Sequence, residues 1–329
     1  MWKISDFNKW NDEGRPINEK VVELNISYTN IKFLGNLENL VNLKELYCQE
    51  NKLVSLKGIE NLVNLKILYC SYNKLTSLEG MENLVNLKSL QCYNNQLTSL
   101  KRIENLVNLR KIYCGDNKLT SLKGIENLVN LKELNCCNSQ LRSLEGIENL
   151  VNLECLKCYN NQLTSIEGIE NFINLKELSC GCNQLISLKV IENLVNLKEL
   201  NCCNGQLRSL ERIEKLVNLE YLVCNNNQLT SLEEIESLVN LKKLNCSNNQ
   251  LILLEAIKNL VKLIKNNKQI KYNIKYNFMN SDDSDDNIEL NNLFVNLVKC
   301  KNNNKINEYI EDIEKMIKEL NGFQKYLLK

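Results

Sequence analysis

Apolar residues recur along this chain in a fixed 22-residue frame that runs from Val21 to Lys262 without insertion or deletion. In one copy Leu65, Leu68, Cys70, Leu75, Leu78, Met81 and Leu84 are apolar and the residues between them are mostly polar; the next copy begins at Leu87 on the same template. Starts fall at 21, 43, 65, 87, 109, 131, 153, 175, 197, 219 and 241, which makes eleven copies. With each copy numbered 1 to 22, positions 3 to 5 alternate as a short strand should, one side chain in and its neighbours out. Stacked copies would set these strands about 4.8 Å apart in a parallel sheet, roughly 50 Å wide for the whole array. The second half behaves differently. Ile59, Leu62, Leu65 and Leu68 recur every three residues, a spacing that suits 3₁₀ turns better than a long α-helix. One copy cannot bury its own apolar face, so stability must come from stacking neighbours, and a period of this length marks a solenoid.

The pattern fails at both ends. Trp2, Ile4, Phe7 and Trp10 have helical spacing and predict a short amphipathic cap within residues 1–20. After the repeats, 21–262, a C-terminal region 263–329 begins with the basic, Asn-rich stretch 265–278 and the acidic stretch 281–286, which reads as a flexible loop. Residues 287–300 fit a helix. Residues 305–328, with Ile306, Ile310, Ile313, Ile317, Leu320 and Leu327, fit a strongly amphipathic one. Its apolar stripe either closes the end of the array or receives a partner.

The run Leu-x-x-Leu-x-(Leu/Cys)-x-x-Asn-x-Leu, as in Leu65 to Leu75, resembles the signature of leucine-rich repeat proteins. The 22-residue period and the Ile-x-x-Leu-x-x-Leu-x-x-Leu second half resemble the internalin and phosphatase-1-regulator type. The cysteine column, the Asn/Lys/Ile-rich composition and the near-identity of the copies are similar to leucine-rich repeat proteins of giant DNA viruses of amoebae. The resemblance implies an α/β solenoid: a parallel sheet on the concave side, short 3₁₀ or irregular segments on the convex side, and helical caps. It implies no catalytic motif.

Four columns repeat through the array. Position 6 is Cys in ten copies, Cys48 through Cys246, and Ile26 in the first, so it is an inward apolar slot in which reduced Cys acts as a small hydrophobe. Position 9 is Asn51, Asn73, Asn95, Asn117, Asn161, Asn183, Asn227 and Asn249, with Thr29, Ser139 and Gly205 as exceptions; an inward amide there can satisfy backbone groups at the bend after each strand. Position 18 is Glu in ten copies and position 2 is Lys or Arg in eight, either a solvated charged face or a docking strip. Copies 131–152 and 197–218 are nearly identical and lie 66 residues apart, which points to duplication of a three-copy block.

Differences between copies concentrate at positions 3, 5, 7 and 8, expected on the concave face. The N-terminal half gathers Tyr28, Tyr47, Tyr69, Tyr72, Tyr93 and Tyr113 there, whereas later copies carry Asn135, Asn201 and Asn245 at position 5 and Asn138, Asn160, Asn204, Asn226 and Asn248 at position 8. Tyr47, Tyr69, Tyr72, Tyr93 and Tyr113 are the candidate partner-binding residues, since Tyr carries large contact area at small entropic cost; the alternative is that these rings merely cover a sheet.

Charge and composition bound the function. Lys and Arg number 41 against 40 acidic residues, so no global field draws the chain to nucleic acid or a membrane surface. No His is present, which excludes His-based acid–base chemistry and His metal sites, and no Gly-rich phosphate loop occurs. The pairs formed by Cys137, Cys155, Cys182 and Cys203 with column members do not make a metal motif, because one of each pair should point inward. No transmembrane span and no secretory leader are expected. The reading is therefore a noncatalytic scaffold with no cofactor, monomeric and cytoplasmic (in the host cell if viral), that binds a protein partner on its concave face. The alternatives are a structural or virion-packaged protein and an enzyme-regulatory subunit.

Overall fold

A computed structural model describes residues 1–267, 270, 274–275, 285–299 and 303–327; of the loop predicted at 281–286, residues 281–284 lie outside the described residues and Asp285 and Asp286 begin a helix instead. The chain forms two compact units, Met1–Ser179 and Cys180–Lys329.

In the first unit, helix α1 (Ile4–Asp12) is followed by eight three-residue strands: β1 (Glu23–Asn25), β2 (Glu45–Tyr47), β3 (Ile67–Tyr69), β4 (Ser89–Gln91), β5 (Lys111–Tyr113), β6 (Glu133–Asn135), β7 (Cys155–Lys157) and β8 (Glu177–Ser179). Neighbours pair in parallel and in register, so that Leu24, Leu46, Leu68, Leu90, Ile112, Leu134, Leu156 and Leu178 form one row. That row is buried, and the residues on either side of each member remain partly or fully exposed. The register follows from the period. A slip of one residue would turn every central Leu to solvent.

The N-terminal cap works as its spacing predicts. Phe7 and Trp10 are buried, Trp10 Nε1 donates to the Pro16 carbonyl at 2.8 Å, and the Arg15 guanidinium lies 5.3 Å from the Trp10 ring. Trp2 bridges to Leu24 as one further rung beside β1.

In the second unit, β9 (Glu199–Asn201), β10 (Tyr221–Val223) and β11 (Lys243–Asn245) continue the same parallel pattern. The eleventh copy keeps its strand, but its second half runs as a helix, α2 (Leu253–Asn266), that buries Leu253, Ala256, Ile257, Leu260, Val261, Leu263 and Ile264. The sequence there, LLEAIKNLVKLIKN, has no glycine and no β-branched run to oppose a helix. A two-residue strand, β12 (Ile274–Lys275), then pairs with β11, inside the stretch whose composition gives no strand signal. Helices α3 (Asp285–Lys299) and α4 (Asn303–Leu327) close this end. Ile306, Ile310, Ile313 and Ile317 of α4 are buried and Lys265 of α2 bonds Glu314 at 2.8 Å. The stripe of α4 therefore packs within its own unit and is not left for a partner.

Local chemistry sorts the second half of the copies into two forms. Where position 16 is Gly, as at Gly58, Gly80, Gly124, Gly146 and Gly168, φ lies between 96° and 107° and the amide donates to the position-18 Glu; Gly58 to Glu60, at 2.8 Å, is one case. A Cβ on Gly58 would stand 1.9 Å from the Gly35 carbonyl oxygen, so no other residue fits there. Where position 16 is Arg102, Val190 or Glu234, the chain forms a 3₁₀ turn instead, at Lys101–Ile103, Lys189–Ile191 and Glu233–Ile235; Arg212 is intermediate, left-handed at φ 75° and followed by a 3₁₀ turn at Ile213–Lys215. The Glu column thus serves the turn it belongs to in the Gly copies, which is the local role rather than the docking one. The Lys column has a similar local account: its two acidic exceptions sit between basic neighbours. Glu154 lies 2.6 Å from Lys132 and 2.7 Å from Lys176, and Glu220 lies 2.5 Å from Lys242.

Two amide ladders stitch the copies. Asn73 Nδ2 donates to the carbonyl of Cys48 in the preceding copy at 3.0 Å and to its own Cys70 carbonyl at 3.1 Å, and its Oδ1 accepts from Leu53 N–H; Asn95, Asn117, Asn161, Asn227 and Asn249 repeat this arrangement. Asn51 reaches back to Ile26, and Asn183 donates to the Cys180 and Gly181 carbonyls. The second ladder was not foreseen. Position 22 is Asn in ten copies, and Asn64, Asn86, Asn108, Asn130 and Asn152 each donate to the Val carbonyl one residue short of the same position in the copy before, at 2.9 Å. The gaps in the first ladder differ: Thr29 still donates to the Ile26 carbonyl, but Ser139 leaves a defect. Ser139 Oγ is buried without a partner. Replacing Ser139 by Asn should stabilise the fold by about 0.5–1.5 kcal/mol, the net value of a buried hydrogen bond, read from urea melts; an unchanged midpoint would mean that water already fills the gap. Gly205→Asn should gain less, because its Cβ would meet Asn227 Oδ1 at 2.8 Å and that amide must move.

The ladder thiols Cys48, Cys70, Cys92, Cys114, Cys136, Cys158, Cys180, Cys202, Cys224 and Cys246 are buried, and among the described residues no cysteine is in a disulfide. Burial pushes the thiols of Cys48, Cys114, Cys180 and Cys246 up to about 12. Cys203, expected off the ladder, is buried as well. In a Cys300→Ser variant, a thiol reagent should therefore label only Cys137, Cys155 and Cys182 in the folded state, since these are the described cysteines that are not buried, and Cys155 more slowly because its thiol is a weak acid. Ready labelling of Cys92 would contradict the inward assignment.

Candidate protein-binding face

The strands of the first unit hold positions 3 and 5 on the solvent side of the sheet because position 4 must point into the core. Position 7 follows with the same parity. Position 8 does not belong to this face in the way its variability suggests. In all eleven copies it has a left-handed backbone, with φ between 51° and 60° from Tyr28 to Asn248. Asn tolerates that conformation better than other residues with a Cβ. Asn138, Asn160, Asn204, Asn226 and Asn248 all take this left-handed conformation, so the turn accounts for their residue type.

The tyrosines fall into two edge-to-face pairs and one single. Tyr47 and Tyr69 pack with ring centroids 5.2 Å apart at 81°, and Tyr72 and Tyr93 at 5.1 Å and 78°. Tyr72, at the left-handed position, is the most exposed of the five, at 41%; the other four are partly exposed. Tyr113 stands apart from both pairs, its hydroxyl bonded to Glu133, which also receives Lys111 at 2.8 Å. Sequence reasoning put these five residues on one face but did not see that Tyr113 is held by a Tyr–Glu–Lys cluster.

It also missed the acids among the rings. The Tyr47 hydroxyl donates to Glu45 at 2.6 Å, and partial burial, then this bond, then the charges of Glu45 and Glu23 push its pKa up. Burial, then Tyr72 and Glu50, push Tyr93 up. The signal was available: Glu23 and Glu45 occupy position 3, two residues from position 5 and so on the same side of the sheet. Farther along, two acids of this face are neutralised. Glu133 meets Lys111, and Glu177 meets Lys157 at 2.7 Å. Partial burial opposes ionisation of Glu133, but its bonds to Lys111 and Tyr113 prevail and hold the carboxyl below its usual range. Cys155 donates to Glu177 at 3.2 Å, and burial first, then this carboxylate, raises that thiol to about 12.

Among the described residues no group of His, Cys, Asp or Glu could hold a metal ion, and no described helix is long and apolar enough to cross a membrane. The face offers paired aromatic rings with carboxylates beside them.

The model of the family described as leucine rich repeats, two copies, matches residues 63–106, 85–127, 107–150, 129–171, 151–193 and 217–260. No curated protein sequence matches the chain. Among solved structures, a leucine-rich repeat protein of Leptospira interrogans is 32% identical, with 83% of this chain and 70% of that one covered and a TM-score of 0.74. The internalin inlF of Listeria monocytogenes is 24% identical over 82% of this chain and 77% of its own, also with a TM-score of 0.74. The functional domain of InlJ from the same bacterium, described as including a cysteine ladder, is 23% identical over 74% of this chain and 67% of its own, with a TM-score of 0.51. With the repeat frame, the stacked parallel strands and the amide ladders in place, these matches establish that the chain belongs to the leucine-rich repeat family.

Proposed function

We propose that the chain is a noncatalytic scaffold that binds a protein partner through the tyrosine-bearing face of its first copies, around Tyr47, Tyr69, Tyr72 and Tyr93, with Tyr113 at the margin. The observation that carries this reading is the left-handed position. Six copies place Asn there, but the first three in succession carry Tyr28, Glu50 and Tyr72. A left-handed conformation opposes an ordinary side chain by about 1–2 kcal/mol. Backbone comfort is given up in the copies where the aromatic pairs lie, and such local strain gathers at functional sites. Aromatic area on a rigid sheet is also what gives interfaces most of their energy.

The test uses substitutions that the chain itself makes. Asn is the residue at position 5 of copies one, six, nine and eleven and at position 8 of six copies, so Tyr69→Asn with Tyr72→Asn should leave the fold intact. Affinity for a partner captured by crosslinking to the full chain should fall at least tenfold, the factor that about 1.4 kcal/mol produces. Unchanged affinity with an unchanged melting curve would reduce the tyrosines to a sheet covering.

A further inference from the structure

Charge on the same face is not evenly settled, and the imbalance says what kind of partner it fits. At positions 3, 5, 7 and 8 of the first four copies there are three carboxylates, Glu23, Glu45 and Glu50, and no Lys or Arg. Among the described residues none of the three forms an ion pair, whereas two of the four face acids of later copies, Glu133 and Glu177, are each paired with a lysine of the same face and the other two, Asp116 and Glu199, lie away from the tyrosine pairs in sequence. Glu45 is fixed by the Tyr47 hydroxyl. Glu23 and Glu45 act electrostatically on Tyr47, and Glu50 acts on Tyr93. Uncompensated carboxylates and aromatic rings therefore occupy one neighbourhood. The lysines that flank these strands and turns lie outside it in sequence, Lys44, Lys66 and Lys88 just before the strand and Lys52 and Lys74 after the turn.

A cation placed over a Tyr ring is attracted by the ring quadrupole, and the effect grows when a carboxylate stands beside it and water is excluded. Edge-to-face pairing leaves one ring of each pair with its face directed away from its neighbour's edge. Two such pairs, each with its own acid, form two adjacent sockets of one chemistry. We infer that the occupant of this face is a short cationic segment of a protein, with Arg or Lys side chains spaced apart by small residues, seated over Tyr47–Tyr69 and Tyr72–Tyr93 between Glu45 and Glu50. A dense polycation fits less well, because the flanking lysines repel its ends. The inference rests on the scaffold reading and adds the partner's chemistry to it.

A fluorescently labelled hexapeptide alternating arginine and glycine serves as probe, with the alternating glutamate–glycine peptide as control, both against the full chain by anisotropy. The cationic probe should bind and the acidic one should not. Binding should weaken at least fivefold in Tyr69→Asn/Tyr72→Asn and again in Glu45→Gln/Glu50→Gln, but not in Glu167→Gln, an exposed acid away from the strands. No binding of the cationic probe, or equal weakening by Glu167→Gln, overturns the inference. So does a captured protein partner whose affinity falls in the tyrosine variant yet is untouched by Glu45→Gln/Glu50→Gln; that result would leave the scaffold reading standing.

Discussion

Asn117→Ala is expected to destabilise the first unit by about 3 kcal/mol, because several buried backbone groups lose their partner at once and each unsatisfied group costs about 1–3 kcal/mol. Asn117 is 8% exposed. Its Nδ2 donates to the Cys92 and Cys114 carbonyls at 3.0 Å and to the Gly115 carbonyl at 3.1 Å, and its Oδ1 accepts from Leu97 N–H at 2.9 Å. Alanine can replace none of these, and the site is walled by buried Leu and Cys, so water has little room to enter. The chain provides its own comparison. Thr29, at the same position of the first copy, recovers part of the role by donating to Ile26, so Asn117→Thr should lose markedly less than Asn117→Ala. Urea melts of the three proteins give the ranking. A loss below 1 kcal/mol for Asn117→Ala would mean that the ladder is redundant with the strand hydrogen bonds.

Trp10→Ala should be still more costly locally, about 3–5 kcal/mol as for other buried aromatic truncations. Trp10 is 2% exposed, and it packs against Phe7 and Trp2 at centroid distances of 6.1 Å. It also supplies the donor to Pro16 and one of the rings beneath Arg15. The effect should remain at that end. In a solenoid each copy contacts only its neighbours, so loss of a cap unravels the adjacent turns before distant ones. Hydrogen exchange should speed up at Asn25 and Ile26, whose amides bond to Trp2 and Tyr47, and remain slow at Cys136 in the sixth copy. Uniform acceleration along the unit would instead show that the array unfolds as one block.

The contrast between these sites and the binding face explains how far the sequence carries. The strand register, the buried Cys column and the N-terminal cap follow from apolar spacing, because burial acts on every copy and leaves a period. Gly58 and Arg102 show where spacing is silent: both occupy position 16, and only the handedness of the backbone separates a Glu-bonded turn from a 3₁₀ turn. Position 8 shows the opposite hazard. Its residues vary among copies as recognition residues would, yet all of them share a left-handed φ that Asn, found in six copies, accommodates best. Helix α2 escapes because its apolar residues fit both the repeat frame and a helical stripe, and nothing in the copy itself announces which packing follows. Tyr47 and Glu45 could be placed on one side of the sheet by parity alone, but that Glu133 is neutralised and Glu45 is not depends on the lysine one copy away.

The buried thiols give the array a chemical memory. While a copy stays stacked, its Cys is sealed among Leu side chains and too weak an acid to react. Once a copy opens, that thiol returns to water and to ordinary acidity, with its neighbours in the column close at hand along the chain. In an oxidising solution an opened turn would be captured as a non-native crosslink before it could restack. The column whose own thiols are shielded from oxidants in the folded chain thus makes its unfolding a one-way event, and the pattern of crosslinks would record which turns opened first.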